Sequence, residues 1–251
     1  MIDAIADRIA RMAEFIRRSD EANPSSKPVD LKDAATLILI DRSGAEPKVL
    51  LGKRHDRHVF MPGKFVFPGG GVDPSDEHMP VARELDKQAE MHLLQRFPDG
   101  STSRARALAL AAIRETCEET GLLLGTRAEA ANVPAGPWEA FARHGLLPDL
   151  SAIHFVGRAI TPPGRPRRFD ARFFTIDASA IAYRVEGVTG PDAELVELVW
   201  MPIKDAKKLD MPAVTSVMLE ELDARIAEGL GHDLPVPFYY TLHGNVQREE
   251  L

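Results

Sequence analysis

The chain has 251 residues, of which 44% are hydrophobic and 27% charged, and its formal net charge at neutral pH is -7. This length and composition are typical of one sizeable globular domain with additions, and the negative charge gives no overall attraction to nucleic acid or an anionic membrane. The single cysteine, Cys117, excludes an internal disulfide and a multi-cysteine zinc site.

The first third of the chain predicts a helix, a linker, a hairpin and a glycine-rich loop. Apolar residues recur at helical spacing over residues 2–18, and "NPSSKP" then breaks the pattern, so residues 1–28 predict a helix and a linker. The runs "AATLILID" and "PKVLLGKR" flank a turn and predict a β-hairpin. "HVFMPGKFVFPGGGVDPSD" predicts a strand that enters a glycine-rich loop.

The rest of the chain alternates between helical and strand patterns. Helical spacing predicts helices over 79–97 and 102–120, and Gly121 lies where a C-terminal glycine cap belongs. "AIHFVGRAITP", "RRFDARFFTID" and "ELVELVWMPI" predict strands. Residues 211–251 predict an amphipathic helix followed by a proline-rich, irregular tail.

Strands interspersed with helices indicate a mixed α/β domain, which we assign to residues 29–210. The helix and linker of 1–28 precede it, and the helix and tail of 211–251 follow it. We expect a cytoplasmic location, because the N-terminal segment mixes acids with bases and no apolar run approaches the roughly 20 residues that span a bilayer. The final "EEL" also lacks the usual peroxisomal ending.

The stretch "AAIRETCEETGLLL" places Glu115, Glu118 and Glu119 on a helix that is apolar on one side. At about 100° per residue the three carboxylates share one face, where like charges repel. Together they make an oxygen-rich site for a hard cation such as Mg²⁺ or Mn²⁺, which would remove the repulsion. A solvated acidic face is the alternative that the helix alone leaves open.

The upstream loop and this helix together resemble the Nudix box. "RETCEETGL" matches its second half, Arg-Glu-U-x-Glu-Glu-x-Gly-U with U usually aliphatic, except that Thr116 is an imperfect U. "GGGVDPSD" is similar to the first half, because Gly70 precedes Asp76 by six positions, although the usual acid is Glu. Glycines there permit close approach of the backbone to a metal or a phosphate.

The two halves of the box are separated by an insertion. The usual box has a short spacer between the acid and the arginine, whereas residues 77–113 lie between them here. A box split in this way resembles the Nudix subgroup that includes peroxisomal coenzyme A diphosphatases. The resemblance implies a Nudix fold, a mixed β-sheet sandwiched between helices, with a helical insertion at about 77–106.

The resemblance also implies a divalent-metal-dependent hydrolase that cuts the pyrophosphate of a nucleoside diphosphate linked to another moiety. The implied metal ligands are Glu115, Glu119 and Glu118, with a backbone carbonyl from Gly70 or Gly71, and the implied cation is Mg²⁺ or Mn²⁺. Arg114 would complete the catalytic group by orienting the glutamates through a salt bridge. Asp76 would have either a structural or a metal-related role.

Two further sets of residues are candidates for roles in the site. One of the three glutamates, or an acid on a later loop, would accept the proton of the attacking water; the loop candidates are Asp170, Asp177, Glu186 and Glu194. Arginine suits bidentate contacts with phosphate, although a solvated basic surface is the alternative. The candidates for substrate binding are Arg54 and Lys64 near the glycine loop, and Arg167 and Arg168 in "PGRPRRFD".

Coenzyme A or an acyl-CoA is the leading substrate, because the split box resembles that of the CoA-cleaving branch. "LLGKR" and "GKFVFPGG" are similar to an upstream signature of that branch, except that Gly52 and His55 stand where Thr and Ser are usual. The alternatives are ADP-ribose, NADH or another nucleotide conjugate, a Nudix module that senses a ligand without turnover, and a structural protein built on the acidic helix. We expect a small nucleotide conjugate as partner, no nucleic acid and no membrane, and leave a homodimer open. We also expect the insertion to affect substrate preference.

Overall fold

The structure is a computed structural model that describes residues 2–22, 29–57, 62–98, 100–128 and 132–251. The helices are α1 (Ile2–Ala22), α2 (Lys87–Leu94), α3 (Thr102–Thr120), α4 (Glu139–His144), α5 (Ile203–Ala206) and α6 (Ala213–Ala227). The strands are β1 (Leu31–Asp41), β2 (Lys48–Arg54), β3 (Phe65–Val66), β4 (Gly69–Gly71), β5 (Leu122–Leu124), β6 (Thr126–Arg127), β7 (Leu146–Leu147), β8 (His154–Ile160), β9 (Arg168–Asp177), β10 (Ile181–Arg184), β11 (Leu195–Pro202), β12 (Pro237–Leu242) and β13 (Asn245–Glu250).

The long strands form one mixed sheet in the order β11-β2-β1-β9-β8-β12-β13. β1 is parallel to β9 and antiparallel to β2, so the predicted hairpin is confirmed. The short strands β3 and β4 pair with β2 and β1. This pairing brings the glycine-rich loop to the middle of the sheet.

Both faces of the sheet are covered by helices, as predicted. Because successive residues of a strand point to opposite faces, Leu37 and Leu39 of β1 pack on the side of α2 and α3. Ile38 and Ile40 pack on the side of α1 and α6. None of these four residues is more than 1% exposed. The chain therefore has the mixed α/β fold expected from its sequence.

The segment assigned to the insertion packs tightly on the rest of the domain. Its helix, α2, contacts α3 and β8. Leu85, Ala89 and Leu93 from this segment are buried, and Leu85 and Leu93 join the core on the α3 side of the sheet. The insertion therefore supplies part of the hydrophobic core.

The helix predicted over 79–97 was wrong in its first half and its last residues, because α2 covers a shorter range. Residues before it run extended along a neighbouring loop, where the N–H of Ala82 donates to the carbonyl oxygen of Pro148 at 2.8 Å. The helix begins only after Asp86, whose side chain accepts a hydrogen bond from the N–H of Gln88. Tertiary pairing thus outweighs local helical spacing here.

The C-terminal segment forms a β-hairpin, so the expected irregular tail was wrong. β12 and β13 are joined by His243 and Gly244, whose φ angles of 48° and 78° suit a two-residue hairpin turn. β12 also runs parallel to β8, which adds the hairpin to the main sheet. Leu251 is buried and exchanges backbone hydrogen bonds with Val236. The domain boundary near residue 210 stays a prediction.

The N-terminal helix is confirmed, and it continues to Ala22 rather than ending at residue 18. The linker at 23–28 lies outside the described residues, as do residues 58–61 of the strand predicted before the glycine loop. Within the described part of the chain, no helix is both long and apolar enough to cross a membrane.

Candidate active site

Helix α3 carries the acidic cluster, and its two ends are defined by capping residues. Ser101 accepts a hydrogen bond from the N–H of Arg104 at 3.2 Å and so caps the N-terminus. Gly121 follows the last turn with a φ of 75°, and its N–H donates to the carbonyl oxygen of Cys117. The predicted helix over 102–120 and its glycine cap are therefore confirmed. Between these ends α3 packs on β1 and β4, which places its acidic turns beside the glycine loop.

The glycines of β4 approach α3 more closely than a residue with a side chain could. β4 pairs antiparallel with β1 and places Gly70 opposite Ala35. A Cβ on Gly70 would lie 2.4 Å from the carboxyl group of Glu115, so glycine is needed to leave this carboxylate in place. The N–H of Gly69 donates to Oε2 of Glu119 at 3.2 Å. The loop therefore holds two of the three glutamates against its backbone.

Arg114 is buried and connects the helix to the glycine loop. Its Nε and Nη2 donate to the carboxylate of Asp76 at 2.9 and 3.1 Å, and Nη2 also donates to the carbonyl oxygen of Gly71 at 2.7 Å. Its Nη1 lies 2.8 Å from Glu115 and 3.4 Å from Glu118. Burial opposes the charge on this guanidinium, but the carboxylates of Asp76 and Glu115 raise its pKa above the ordinary value. These contacts are those that an orienting role requires.

Asp76 lies beneath this arrangement and has no exposed surface. Besides its two bonds with Arg114, its Oδ1 accepts from Nε1 of Trp138 at 3.2 Å. Its Oδ2 accepts from the N–H of Asp73 at 2.8 Å, as part of a capping box. Since both oxygens are occupied, we assign a structural role to Asp76. Trp138 was missed from the sequence, where a lone tryptophan in a loop gives no signal for such a contact.

The three glutamates of α3 differ in exposure and in electrostatic environment. Glu119 is 7% exposed, whereas the side chains of Glu115 and Glu118 are 17% and 40% exposed. Burial raises the pKa of Glu119 well above its ordinary value, and the charges of Glu194 and Glu115 raise it further. Burial also raises the pKa of Glu115, against the opposing effect of Arg114. Ionising both carboxylates therefore calls for additional positive charge.

The donor atoms at this place suit a divalent cation. In the part of the chain that the structure describes, no three acidic, histidine or cysteine side chains converge closely enough to complete a metal site by themselves. Mg²⁺, however, is usually bound by one or two protein carboxylates, with waters and substrate phosphates completing its coordination. Glu115 and Glu119 supply two carboxylates crowded against the loop, and their raised pKa values indicate a charge that a cation would balance. The residues present therefore fit Mg²⁺ or Mn²⁺.

Among the four loop acids considered as proton acceptors, Glu194 is the one that lies at the site. It borders the cavity beside the glycine loop. After burial, its charge is the largest cause of the raised pKa of Glu119. The other three acids are paired elsewhere: Asp170 with Arg158 at 2.6 Å, Asp177 with Arg42 at 3.0 Å and Glu186 with Arg184 at 3.5 Å.

The four basic residues predicted to bind substrate divide into two pairs. Arg54 and Arg167 line the cavity, and Nη2 of Arg54 lies 2.8 Å from a carboxylate oxygen of Glu194. The other two make contacts elsewhere, Lys64 with the carboxylate of Asp210 and Arg168 with the carbonyl oxygen of Thr161. The structure therefore brings Arg54 and Arg167, but not the other pair, to the cavity.

The cavity itself has a volume of about 600 Å³ and opens beside Gly69–Gly71. Its lining is mostly apolar and comes from the sheet, from the β8–β9 loop, from α1 and from the C-terminal hairpin. Sequence reasoning identified α1 as amphipathic but missed the cavity. A helical stripe of apolar residues shows that a face is buried, not which surface it covers.

The chain is similar to known proteins in sequence and in structure. A family model described as the NUDIX domain matches residues 30–222. "Acyl-coenzyme A diphosphatase NUDT19" of Xenopus laevis is 31% identical over 131 residues, 37% of this chain and 34% of that protein. The protein of the same name from Gallus gallus is 28% identical over 178 residues, 51% of this chain and 47% of that protein. The matched segment thus spans a third to a half of these relatives.

A solved structure is similar over most of both chains. The crystal structure of a NUDIX hydrolase from Alicyclobacillus acidocaldarius has a TM-score of 0.57 and 31% sequence identity, and the match covers 78% of this chain and 92% of that one. Nudix hydrolases generally use divalent metals. The family match includes both the glycine loop and α3, which meet at the acidic cluster described above. This protein therefore belongs to the Nudix family.

Proposed function

We propose that this enzyme hydrolyses the pyrophosphate bond of a nucleotide conjugate, with coenzyme A or an acyl-CoA as the leading substrate. The observation that carries the proposal is the pair Glu115 and Glu119 held against the backbone of Gly69 and Gly70. The two matched relatives named as acyl-coenzyme A diphosphatases support coenzyme A among the possible conjugates. The products would be 3′,5′-ADP and 4′-phosphopantetheine or its acyl form.

In this proposal the acidic turns of α3 hold the divalent cation. Glu115 and Glu119 are the main ligands, while the more exposed Glu118 and the carbonyl oxygen of Gly70 are the supplementary ones. A bound cation would supply Lewis-acid activation of water and offset the charge of the pyrophosphate. Arg114 keeps the glutamates in place through its contacts with the loop and with Asp76.

We assign proton transfer to Glu194 and phosphate contacts to the arginines of the cavity. As the water oxygen bonds to one phosphorus, its proton passes to the carboxylate of Glu194, and the bond from that phosphorus to the bridging oxygen breaks. Arg54 already pairs with Glu194 and would hold this carboxylate in position. Arg54 and Arg167, both at the cavity, would face the phosphate oxygens of the substrate.

The test is a product assay by mass spectrometry in ¹⁸O-labelled water with Mg²⁺ or Mn²⁺. Coenzyme A, an acyl-CoA, ADP-ribose, NADH and a dinucleoside polyphosphate are compared as substrates. We expect coenzyme A or its acyl form to be cut with the highest kcat/KM, and the label identifies the phosphorus that is attacked. EDTA is expected to remove the activity.

The remaining outcomes of this assay would contradict different parts of the proposal. A clear preference for ADP-ribose, NADH or a dinucleoside polyphosphate would replace the substrate assignment but leave the reaction unchanged. An absence of cleavage of every conjugate with either cation would contradict the reaction and favour a ligand-sensing module. Undiminished cleavage in EDTA would contradict the role of the cation.

A further inference from the structure

Two walls of the cavity come from elements outside the family match. α1 lies before residue 30, where the match begins, and the hairpin of β12 and β13 lies after residue 222, where it ends. Met12, Phe15 and Ile16 of α1 line one wall of the cavity, and Tyr240 and Val246 of the hairpin line another. The cavity is thus completed by additions to the Nudix domain.

Helix α1 is held in place by ion pairs with α6. Nε of Arg8 lies 3.2 Å from Glu220, and its Nη1 lies 2.9 Å from Glu221. Arg11 also pairs with Glu220, at 2.6 Å. Met12 is buried beside these contacts. The apolar side of α1 is therefore fixed over the sheet and forms a defined wall.

The loop between β8 and β9 is joined to the same helix. Nη2 of Arg165 donates to the carbonyl oxygen of Ile16 at 2.7 Å. Pro162 and Pro166 of this loop line the cavity next to Arg167. The loop therefore brings both positive charge and apolar proline rings to the cavity.

The chemistry of the lining distinguishes between the two ends of a coenzyme A thioester. Among the described residues, the ionic side chains that line the cavity are three arginines and Glu194. The hydroxyl groups come from Tyr240 and from threonines such as Thr36, Thr215 and Thr241. A purine base needs hydrogen-bond partners around its edges, whereas an aliphatic chain needs only apolar surface. Scattered hydroxyls in an apolar lining suit pantetheine, whose amides are separated by apolar segments, followed by an acyl chain.

We propose that this cavity binds the acylated pantetheine arm of the substrate and gives the enzyme a preference for acyl-CoA over free coenzyme A. The inference rests on the proposed function, because it places the pyrophosphate at Gly69–Gly71. Gly69 and Gly70 lie against the carboxylates of α3 and also line the cavity, so a substrate cut there has the apolar lining directly beside it.

The first experiment measures kcat/KM for coenzyme A and for its acetyl, octanoyl and dodecanoyl thioesters, below their micelle concentrations. In the wild type we expect kcat/KM to rise by about tenfold or more from coenzyme A to the octanoyl ester, because burying two methylene groups is already enough for this factor. Phe15 is 41% exposed, so Phe15→Glu can be made without opening the core, and it is expected to remove most of this ratio. Ile16→Trp is expected to move the optimum to shorter chains.

The matched control is Ala13→Glu, which adds the same charge to an exposed position of α1 away from the cavity lining. It is expected to keep the wild-type ratio between octanoyl-CoA and coenzyme A. A wild-type enzyme with equal kcat/KM for all chain lengths would overturn the inference. The inference would also be overturned if Ala13→Glu lost the preference for octanoyl-CoA as fully as Phe15→Glu does. That result would indicate a general effect of negative charge on α1.

A second experiment separates this inference from the proposed function. Calorimetric titration of the full chain in EDTA compares the binding of octanoyl-CoA with that of coenzyme A, without turnover. We expect octanoyl-CoA to bind about tenfold more tightly to the wild type and to lose that advantage in Phe15→Glu. Preferential binding without hydrolysis in the cation assays would reject the proposed function and keep the acyl site. Hydrolysis of coenzyme A without preferential binding of octanoyl-CoA would keep the proposed function and reject the acyl site.

Discussion

At the scale of single residues, the contact between Gly70 and Glu115 gives the sharpest test of the site. We expect Gly70→Ala to lower kcat/KM by about tenfold to a hundredfold, because a misplacement of about 1 Å in a catalytic group has effects of this size. The new Cβ would lie 2.4 Å from the Glu115 carboxyl group, which is the far end of a flexible side chain. The carboxylate therefore moves while the fold remains. The measurement is steady-state kinetics with Mg²⁺, together with thermal unfolding.

Gly71→Ala is the matched control for this variant. Its Cβ would meet only the carbonyl oxygen of Asp33, at 3.9 Å, which is an ordinary contact. Neither glycine has a positive φ, so backbone strain does not separate the two variants. Gly71→Ala is expected to lose much less activity than Gly70→Ala, and equal losses would count against the importance of the Glu115 position.

Glu119 is the buried carboxylate whose loss we expect to matter most. Glu119→Gln is expected to lower kcat by about a hundredfold or more, since a cation contributes several kcal/mol to stabilising the transition state. Manganese is also expected to raise the Tm of the wild type more than that of the variant, because a ligand stabilises the state that binds it. Thermal melts with and without Mn²⁺ check this second point. Full activity in the variant would refute the ligand assignment.

Glu194 can be tested against another acid from the same set of sequence candidates. Glu194→Gln is expected to lower kcat by about 10²–10⁴, the usual contribution of a general base. Glu186→Gln is the control, because Glu186 pairs with Arg184 away from the cavity. If both variants retained the wild-type kcat, the proton would have to pass to another group.

The residues of the box could be predicted from sequence because they are close together on one helix and one loop. The orienting contacts of Arg114 followed from the same motif. The choice of Glu194 among the loop acids could not be predicted from sequence, because its position depends on pairing between distant strands. β11 pairs with β2, with Leu195 opposite Arg54, and this register brings Glu194 to the cavity. Sequence spacing carries no information about such a register.

At the scale of elements, the insertion is expected to be a structural part of the domain. Leu93 of α2 is 1% exposed in the core shared with α3, and Leu93→Ala is expected to lower the free energy of unfolding by about 2–5 kcal/mol. Met91 of the same helix is 53% exposed, and Met91→Ala is expected to change it by less than about 0.5 kcal/mol. Urea unfolding measures both. Similar small effects would mean that α2 is only loosely attached.

The elements that the sequence did predict have strong local patterns, and those it missed depend on tertiary contacts. The long periodic runs of α3 and α6 and the β1–β2 hairpin were recognisable from spacing alone. The C-terminal hairpin was not, because prolines suggested an irregular tail, although the histidine–glycine turn and the aromatic run "PFYYTL" were available signals. The extended chain before α2 had no local signal, since its backbone pairs with residues beyond α3.

At the scale of the whole molecule, the two faces of the sheet have different tasks. The face toward α3 is filled by the box helix and the insertion, and the opposite face holds the cavity under α1. The glycine loop lies where the two meet. Under the proposed function, this placement lets residues on α1 set the selectivity of a reaction that takes place at α3. The family match, residues 30–222, includes α2 and α3. It leaves out α1 and the C-terminal hairpin, which help to line the cavity.

A group of histidines joins the insertion to the rest of the molecule and predicts how its stability depends on pH. The rings of His154 and His232 stack with centroids 4.1 Å apart. Burial lowers the pKa of His154 from its ordinary 6.5 to about 4, with smaller effects from His232 and Arg225. Burial, Arg225 and His232 also lower the pKa of His92 on α2. The rings of His154 and His92 are therefore expected to be neutral in the folded protein at pH values where they are charged in the unfolded chain.

The sign of the effect follows from proton binding. Above pH 6.5 His154 is neutral in both states and does not affect folding, whereas between 6.5 and about 4 only the unfolded chain takes up the proton. The free energy of unfolding is therefore expected to fall as the pH is lowered through this window. His154→Phe keeps a ring for stacking but cannot be protonated, so its stability is expected to fall less steeply over the same range. Urea unfolding of both proteins at several pH values measures the two slopes, and equal slopes would show that His154 does not set this pH dependence.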